Sequence, residues 1–349
     1  MLLPLIESLR AGRALDAGQV QHAVRALIDE AVAVETKADF LTALAGKGET
    51  TEEIAAFARE LRERSIPLPL DAETRARDIL DVCGTGGDHL NTFNISTTVA
   101  LVAASGGVLV AKHGNRAITS QAGSADVLEA LGIRIDLGPA EAARALSEHG
   151  FTFLFAPNYH PAFRHIGPAR RLCATRGQRT IFNFLGPLLN PARPTAQLIG
   201  VPRPALCEPI ARVLQMLGIR RGLVVSGTVP QADGKPAHLD EFSTLGDNTV
   251  AEFYQDRGFT SSVLSPENFP LQPATLADLT GGDRAANAAT VRRLLHGEDR
   301  GPKRDAVLLN AAAALFVAGR ADSFTEGWDL AAELIDSGQA ARKLSSLVG

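Results

Sequence analysis

The stretch ILDVCGTGGDHLNTFNIST, residues 79–97, decides how the chain is read. Its first four residues, Ile79-Leu-Asp-Val82, form a short apolar run of the kind that becomes a buried strand. Gly84-Thr85-Gly86-Gly87-Asp88 follows as a turn, and a helix is expected over about 95–105. Glycine lacks a Cβ and accepts positive φ, so such a turn lets backbone N–H groups converge on an anion. The helix N-terminus adds unpaired N–H groups and the positive end of a dipole. Asn94, Ser96 and Thr97 supply side-chain donors. The spacing fits neither GxxxxGK[ST] nor GxGxxG, since His89 stands at the last glycine position of the latter. Taken alone, such a segment is more often a plain glycine turn before a capped helix.

Working outward, the alternation repeats. A second strand is expected over 108–111, then a polar loop over 112–123 that carries Lys112-His113-Gly114-Asn115-Arg116, Ser120 and, just beyond, Ser124. A helix through Val127 and Leu131, a third strand over 151–154, a helix over 160–171, and strands over 196–201 and 221–225 flanking a helix over 206–217 continue it. Helices are expected over 283–295, 305–318 and 325–336, the last capped by Ser323. Strand, loop and helix in this order predict an α/β sheet with mostly parallel strands. Both polar loops then lie at the carboxyl edge of the sheet, where open α/β sheets bind ligands. Two cations and several hydroxyls in the second loop suit a polyanion such as a pyrophosphate. Asp240-Glu241 follows the strand over 221–225 and a loop containing glycine and proline. Adjacent acids are common on surfaces, but beside a phosphate site they suit Mg²⁺, which takes one or two carboxylates plus substrate phosphates.

The first 69 residues read differently. Apolar residues recur at helical spacing over 2–9, 19–34 and 38–45. Lys47-Gly48-Glu49-Thr50 breaks the pattern, and Thr50 with Glu53 forms a capping box for a helix through Ile54, Phe57 and Leu61. Ser65-Ile-Pro-Leu-Pro ends that helix as a linker.

Composition narrows the class. Aromatics are only 5%, so the core is built from Ala, Val, Leu and Ile, which suits helices packed on a parallel sheet. A formal net charge of −4 argues against wrapping nucleic acid, so an anionic ligand must be met by a local site. Three scattered cysteines without a CxxC pair predict neither a disulfide framework nor a zinc site, and a reducing, cytoplasmic setting is expected. The opening residues lack the basic region of a signal peptide, and the longest apolar run, about 99–111, is too short for a bilayer. A soluble protein without membrane partners is expected.

Together, GTGGD with TFNIST, KHGNR with Gly123-Ser124, FAPNYHP (155–161), FNFLGPLLNP (182–191) and LDEFS (239–243) resemble the anthranilate phosphoribosyltransferase family. KGET (47–50) is similar too, so the resemblance runs from the first helices to the C-terminus. It implies a fold like the nucleoside phosphorylases and phosphoribosyltransferases. A small all-helical domain, residues 1–69 with a return segment at about 165–187, would join a larger α/β domain, residues 70–164 and 188–349. The site would lie in the cleft between them, and a homodimer would form through the helical domain. The implied reaction moves the phosphoribosyl group of phosphoribosyl pyrophosphate to the amine of anthranilate, in tryptophan biosynthesis, with release of pyrophosphate. Residue by residue, the resemblance assigns phosphoribosyl pyrophosphate to Gly84, Gly87, Asp88, Thr92, Asn94, Ile95, Ser96, Thr97, Lys112, His113, Gly114, Asn115, Arg116, Ser120 and Ser124. Anthranilate falls to Gly84, Asn115, His160, Arg170, Gly186 and Pro187, with Arg164, Arg171 and Arg176 open as alternatives to Arg170. Ser96, Asp240 and Glu241 would hold Mg²⁺, two ions in all, and Lys112, Asp240 and Glu241 would be catalytic. No nucleophile on the protein is expected. The segment 172–178 and the loop 228–238 are longer than the family pattern, and His89 stands where a small residue is frequent. Two other readings share this architecture: a pyrimidine-nucleoside phosphorylase, which would not need the acidic pair, and a non-catalytic nucleic-acid-binding relative, which would lose the GTGGD loop.

Overall fold

The computed structural model of the chain describes residues 2–117, 121–231, 233–255 and 258–348. It opens with four helices, α1 (Leu3–Arg10), α2 (Ala17–Ile28), α3 (Val34–Lys47) and α4 (Thr51–Arg62). α2 was expected to run to Val34 but stops at Ile28, because Asp29 turns extended and its carboxylate accepts from Ala31 N at 2.9 Å, an Asx turn that competes with the helix. The Thr50–Glu53 capping box is present. Glu53 does more than cap: fully buried, it accepts from Leu15 N (2.8 Å) and Thr50 N (2.8 Å) and pairs with Lys47 at 2.5 Å. One carboxylate thereby joins three segments of the bundle, and both oxygens it brings into the interior are hydrogen-bonded.

Strands β1 (Ile79–Gly84), β2 (Leu109–Gly114), β3 (Phe151–Phe155), β4 (Ala196–Gly200), β5 (Arg221–Val229), β6 (Ala237–Leu239), β7 (Asn248–Tyr254) and β8 (Gly258–Leu264) form one sheet. The order is β3-β2-β1-β4-β5-β7-β8, with β6 beside β5. Pairs from β3 to β5 are parallel, whereas β6 and β7 pair antiparallel with β5, and β8 with β7. The parallel part is the sheet read from the sequence. The antiparallel end has no counterpart in the sequence pattern, which predicts only a loop between Val225 and Asp240. The two arms of a hairpin, β5 and β6, take only the ends of the long 228–238 segment, Thr228-Val229 and Ala237-His238. The helix Pro139–His149 was also passed over, although Pro at its first position and Gly150 after its last are boundary residues.

Side chains alternate along β1. Leu80 and Val82 face a core shared with the helices Ile95–Ser105, Pro302–Val317 and Phe324–Asp336. Cys83 faces a second core that takes in α1–α4 and the helix Cys207–Met216. The helix Gly167–Thr175 joins this second core through Ala169 and Cys173. Lys37 Nζ on α3 donates to His165 O at 3.1 Å, tying the return segment to the bundle. Among the described residues no helix is long and apolar enough to cross a membrane.

Candidate active site

β1 and β4 end on glycines that lie side by side, Gly84 against Gly200, and Gly227 lies on β5 two residues beyond Val225, the partner of Gly200. A methyl carbon on Gly84 would come 2.5 Å from Asp240 Oδ2, and one on Gly227 would come 2.6 Å from Glu241 O. On Gly200 it would overlap the Asp240 carbonyl itself. The three glycines thus leave room for the segment Asp240–Ser243 to pack closely against β1, β4 and β5. Gly200 and Gly227 were not singled out from the sequence. Their only signal was a glycine in or after an apolar run, which many strands carry.

The loop after β1 crosses the other side of the acidic pair. Gly86 N donates to Asp240 Oδ2 at 2.6 Å, and Ser96 N, in the first turn of the helix Ile95–Ser105, donates to Glu241 Oε1 at 3.1 Å. Gly86, Gly87, His89 and Asn91 all have positive φ. That explains why a small residue would suit position 89, since a side chain in the left-handed region is strained. Thr92 bridges to Thr280, and Asp88 receives Leu90 N at 3.2 Å. Asp240 and Glu241 are 8% and 9% exposed. Burial, with Asp88 and Glu241 as like charges nearby, pushes the Asp240 carboxyl well above the usual range, and burial lifts Glu241 to about 7.

Lys112 is not in a loop. β2 runs through Gly114, because Lys112 finds a place inside the sheet: it is 1% exposed, and its ammonium donates to Val82 O (2.6 Å) and Ser96 Oγ (3.4 Å). His113, the next residue, points to the opposite face, as the pleat requires. Its N–H donates to Asp81 Oδ1 at 3.2 Å, and its Nδ1 lies 3.2 Å from Gly186 O. A carbonyl only accepts, so Nδ1 carries the proton and Nε2 is left as an acceptor. Burial drives His113 down to about 3 and His160 down to about 4, so both rings are neutral.

The remaining candidates divide into ligand-facing and scaffold groups. Thr97 is buried with its hydroxyl unpartnered among the described residues. Ile95 is a core side chain and can offer only its backbone. Asn94 Nδ2 donates to Ala122 O at 3.2 Å and its Oδ1 accepts from Asn287, which ties the first loop to the second. Ser124 Oγ donates to Asn115 O at 3.3 Å, and Gly114 is packed against Ser124 and Phe153. Arg116 corrects the expectation of a free cation. It holds Asp126 at 2.9 Å and Glu129 at 3.0 Å, so its charge is already neutralised on the helix Ser124–Leu131. Ser120 lies outside the described residues.

A second group forms between β2 and the return segment. His113 and His160 meet edge to face at 5.1 Å, His160 stacks on Phe163 at 5.3 Å, and Phe163 meets Phe182 at 5.7 Å. The Arg170 guanidinium lies 5.2 Å from the Phe182 ring centre and has no carboxylate partner among the described residues. Of the alternatives to Arg170, Arg164 and Arg176 pair with Glu30 and Asp39, while Arg171 is exposed and, among the described residues, also has no carboxylate partner. Gly186 and Pro187 sit in the turn that His113 reaches. A cluster of aromatic rings with the Arg170 guanidinium beside it suits an aromatic carboxylate. The helix expected over 160–171 is broken into a 3₁₀ turn, Pro161–His165, and the helix Gly167–Thr175, since Pro161 and Pro168 each start a segment.

These rings give a pH test. A histidine lowered from about 6.5 binds its proton more readily unfolded, so its stability contribution is complete above pH 6.5 and is lost as pH falls toward 4. His160→Phe should remove up to about 1.4 kcal/mol per pH unit from the slope of unfolding free energy between pH 4 and 6, relative to the parent. Denaturant titrations across that range check it. An unaltered slope would show that His160 is not buried as a neutral ring.

Comparison with known proteins agrees with this layout. The family model described as glycosyl transferase family, helical bundle domain, matches residues 3–65, and the one described as glycosyl transferase family, a/b domain, matches residues 76–341. A Caulobacter vibrioides protein named anthranilate phosphoribosyltransferase is 47% identical over 99% of the chain and 96% of its own length. Anthranilate phosphoribosyltransferase 2 of Streptomyces coelicolor is 48% identical over 94% of the chain and 93% of its own length. The solved anthranilate phosphoribosyltransferase of Thermus thermophilus superposes with a TM-score of 0.87 at 44% identity, covering 98% of both chains. That of Saccharomyces cerevisiae, solved with phosphoribosyl pyrophosphate and Mg, superposes with a TM-score of 0.86 at 27% identity, covering 99% of this chain and 96% of that one.

Proposed function

This chain belongs to the anthranilate phosphoribosyltransferase family, and from that premise we propose how its residues divide the transfer between them. It moves the phosphoribosyl group of phosphoribosyl pyrophosphate to anthranilate, a step of tryptophan biosynthesis, and it uses Mg²⁺. The observation that carries the residue assignment is the convergence of the glycine loop, Ser96, Lys112 and the Asp240-Glu241 pair at the carboxyl ends of β1, β2 and β5.

The acidic pair fits the metal. Two buried carboxylates with raised pKa values favour a cation, and the ammonium facing Glu241 is already engaged by Val82 O. Asp240, Glu241 and the Ser96 hydroxyl would hold two ions. When bound, Mg²⁺ supplies Lewis-acid neutralisation of the pyrophosphate leaving group. Lys112 adds fixed positive charge beside it, already desolvated, so nothing must reorganise as charge grows. Gly84, Gly87, Asp88, Thr92 and Thr97 surround the phosphates, and Asn115 and Ser124 close the second side. His160, Arg170, Gly186 and Pro187 hold anthranilate. The aromatic amine is neutral near pH 7. Its lone pair forms the bond to C1 of the ribose while the bond from C1 to pyrophosphate breaks, and its proton passes to solvent. Positioning of amine and C1 therefore does most of the protein's work. A phosphorylase has no use for the buried acidic pair. We further propose residues 1–69 with 165–187 as the helical domain and as the dimer surface.

Loss of anthranilate fluorescence on adding phosphoribosyl pyrophosphate is expected with Mg²⁺ and not with EDTA. Turnover unaffected by EDTA would remove the metal from the assignment. Binding of the donor without loss of anthranilate would redirect the acceptor assignment.

A further inference from the structure

The turn Gly186–Leu189 and Asn190 are held carbonyl by carbonyl from four directions. His113 on β2 donates to Gly186 O at 3.2 Å. Gln197 on β4 donates to Pro187 O at 2.9 Å. Arg62 on α4 reaches Leu188 O with Nε at 3.3 Å and Nη2 at 3.0 Å. Asn190 in turn donates to Asp81 Oδ2 on β1 at 2.8 Å. Three consecutive carbonyls are thus taken by long-range side chains, and all four anchors are buried. The outer side of the turn is bare: a methyl carbon on Gly186 would meet nothing within 4 Å. The turn is rigid from behind and open in front.

Gln197 is the most informative anchor. It is fully buried, its Oε1 has no partner among the described residues, and its amide makes one hydrogen bond, to Pro187. A buried polar group kept half-satisfied is costly, so its retention points to the one bond it does make. We propose that Gln197 is a positioning residue for the acceptor, fixing Gly186-Pro187 at the height anthranilate needs, with Arg62 and His113 as its partners in the clamp. This rests on the reading that Gly186 and Pro187 line the acceptor pocket. His113 neighbours Lys112 on the same strand, so the clamp also sets the acceptor turn relative to the phosphate side.

The test is steady-state kinetics with each substrate varied in turn. Gln197→Leu keeps the volume and removes the donor. It should raise KM for anthranilate roughly tenfold, about the weight of one lost buried hydrogen bond, with KM for phosphoribosyl pyrophosphate within about twofold of the parent. Arg62→Lys, which keeps the charge but offers one donor instead of a fork, should shift the same constant less. Gly186→Ala reports on the pocket itself and should also raise KM for anthranilate. If Gly186→Ala raises it while Gln197→Leu and Arg62→Lys leave it unchanged, the positioning role is wrong and the pocket stands. If neither Gly186→Ala nor Gln197→Leu moves it, the acceptor reading fails and the proposal with it. Equal increases in both KM values would make Gln197 a structural residue only. Should Gln197→Leu not fold, Arg62→Lys decides by the same criterion.

Discussion

Replacing Asp240 and Glu241 together by Asn and Gln is expected to lower turnover by at least about 10³-fold while making the metal-free protein harder to unfold. The loss follows from removing both anionic ligands at once while leaving the shape of the site intact. The stabilisation follows from burial. Both carboxyls are held above their ordinary range, so at neutral pH part of the folding free energy is spent on keeping them charged or protonated. Neutral amides of the same shape still accept from Gly86 N and Ser96 N and escape that cost, which replacements of buried charges place at about 1–3 kcal/mol. Thermal unfolding at pH 8 separates the two effects. In EDTA the double variant should melt above the parent. Added Mg²⁺ should raise the parent's midpoint and leave the variant's in place. A double variant with near-parental rates would take the pair out of the mechanism, and a lower midpoint in EDTA would show the carboxylates to be stabilising partners.

Gly200→Ala is expected to cost on the order of 10² in kcat/KM, although residue 200 is not among those proposed to bind a substrate. Its φ is not in the left-handed region, so alanine is allowed by its own backbone. The obstacle is the Asp240 carbonyl, which occupies the space of the added methyl. A backbone carbonyl cannot swing aside as a side-chain tip can. The segment Asp240–Ser243 must lift from the sheet, and the bonds from Gly86 N and Ser96 N loosen with it. Overpacking of this kind also lowers stability by about 1–3 kcal/mol. Gly46→Ala is the control, in a helix with nothing within 4 Å of the new carbon, and should be neutral or slightly stabilising. Parental kcat/KM and Mg²⁺ dependence in Gly200→Ala would show that packing against Gly200 does not place the acidic pair.

The contrast between Gly86 and Gly200 shows what the sequence made legible. Gly86 stands in a run of glycines after a strand, and its positive φ is a local reason for glycine. Gly200 has its reason 40 residues away, in a carbonyl that only the fold brings near. The same divide runs through the site. β1 to β5, the loop at 84–88 and the Thr50–Glu53 box follow from neighbours in the chain. Lys112 inside a strand, Arg116 neutralised by Asp126 and Glu129, and Gln197 beneath Pro187 depend on partners between 10 and 30 residues away or on which face of a strand is covered. β7 alternates buried and half-buried positions, but its partner β8 is largely exposed and left little apolar signal.

Gly86 N and Ser96 N, two of the donors best placed for a phosphate oxygen, spend themselves on Asp240 and Glu241. On the site assignment proposed above, the protein carries internal anions where the phosphates of the donor would bind. A phosphate would claim those donors only as the carboxylates are drawn elsewhere, and a cation would gain the carboxylates fully only as the donors find another anion. Donor and metal would then each displace the other's competitor, and their affinities are expected to be coupled. By reciprocity, whatever factor Mg²⁺ adds to the affinity for phosphoribosyl pyrophosphate, the donor returns to Mg²⁺.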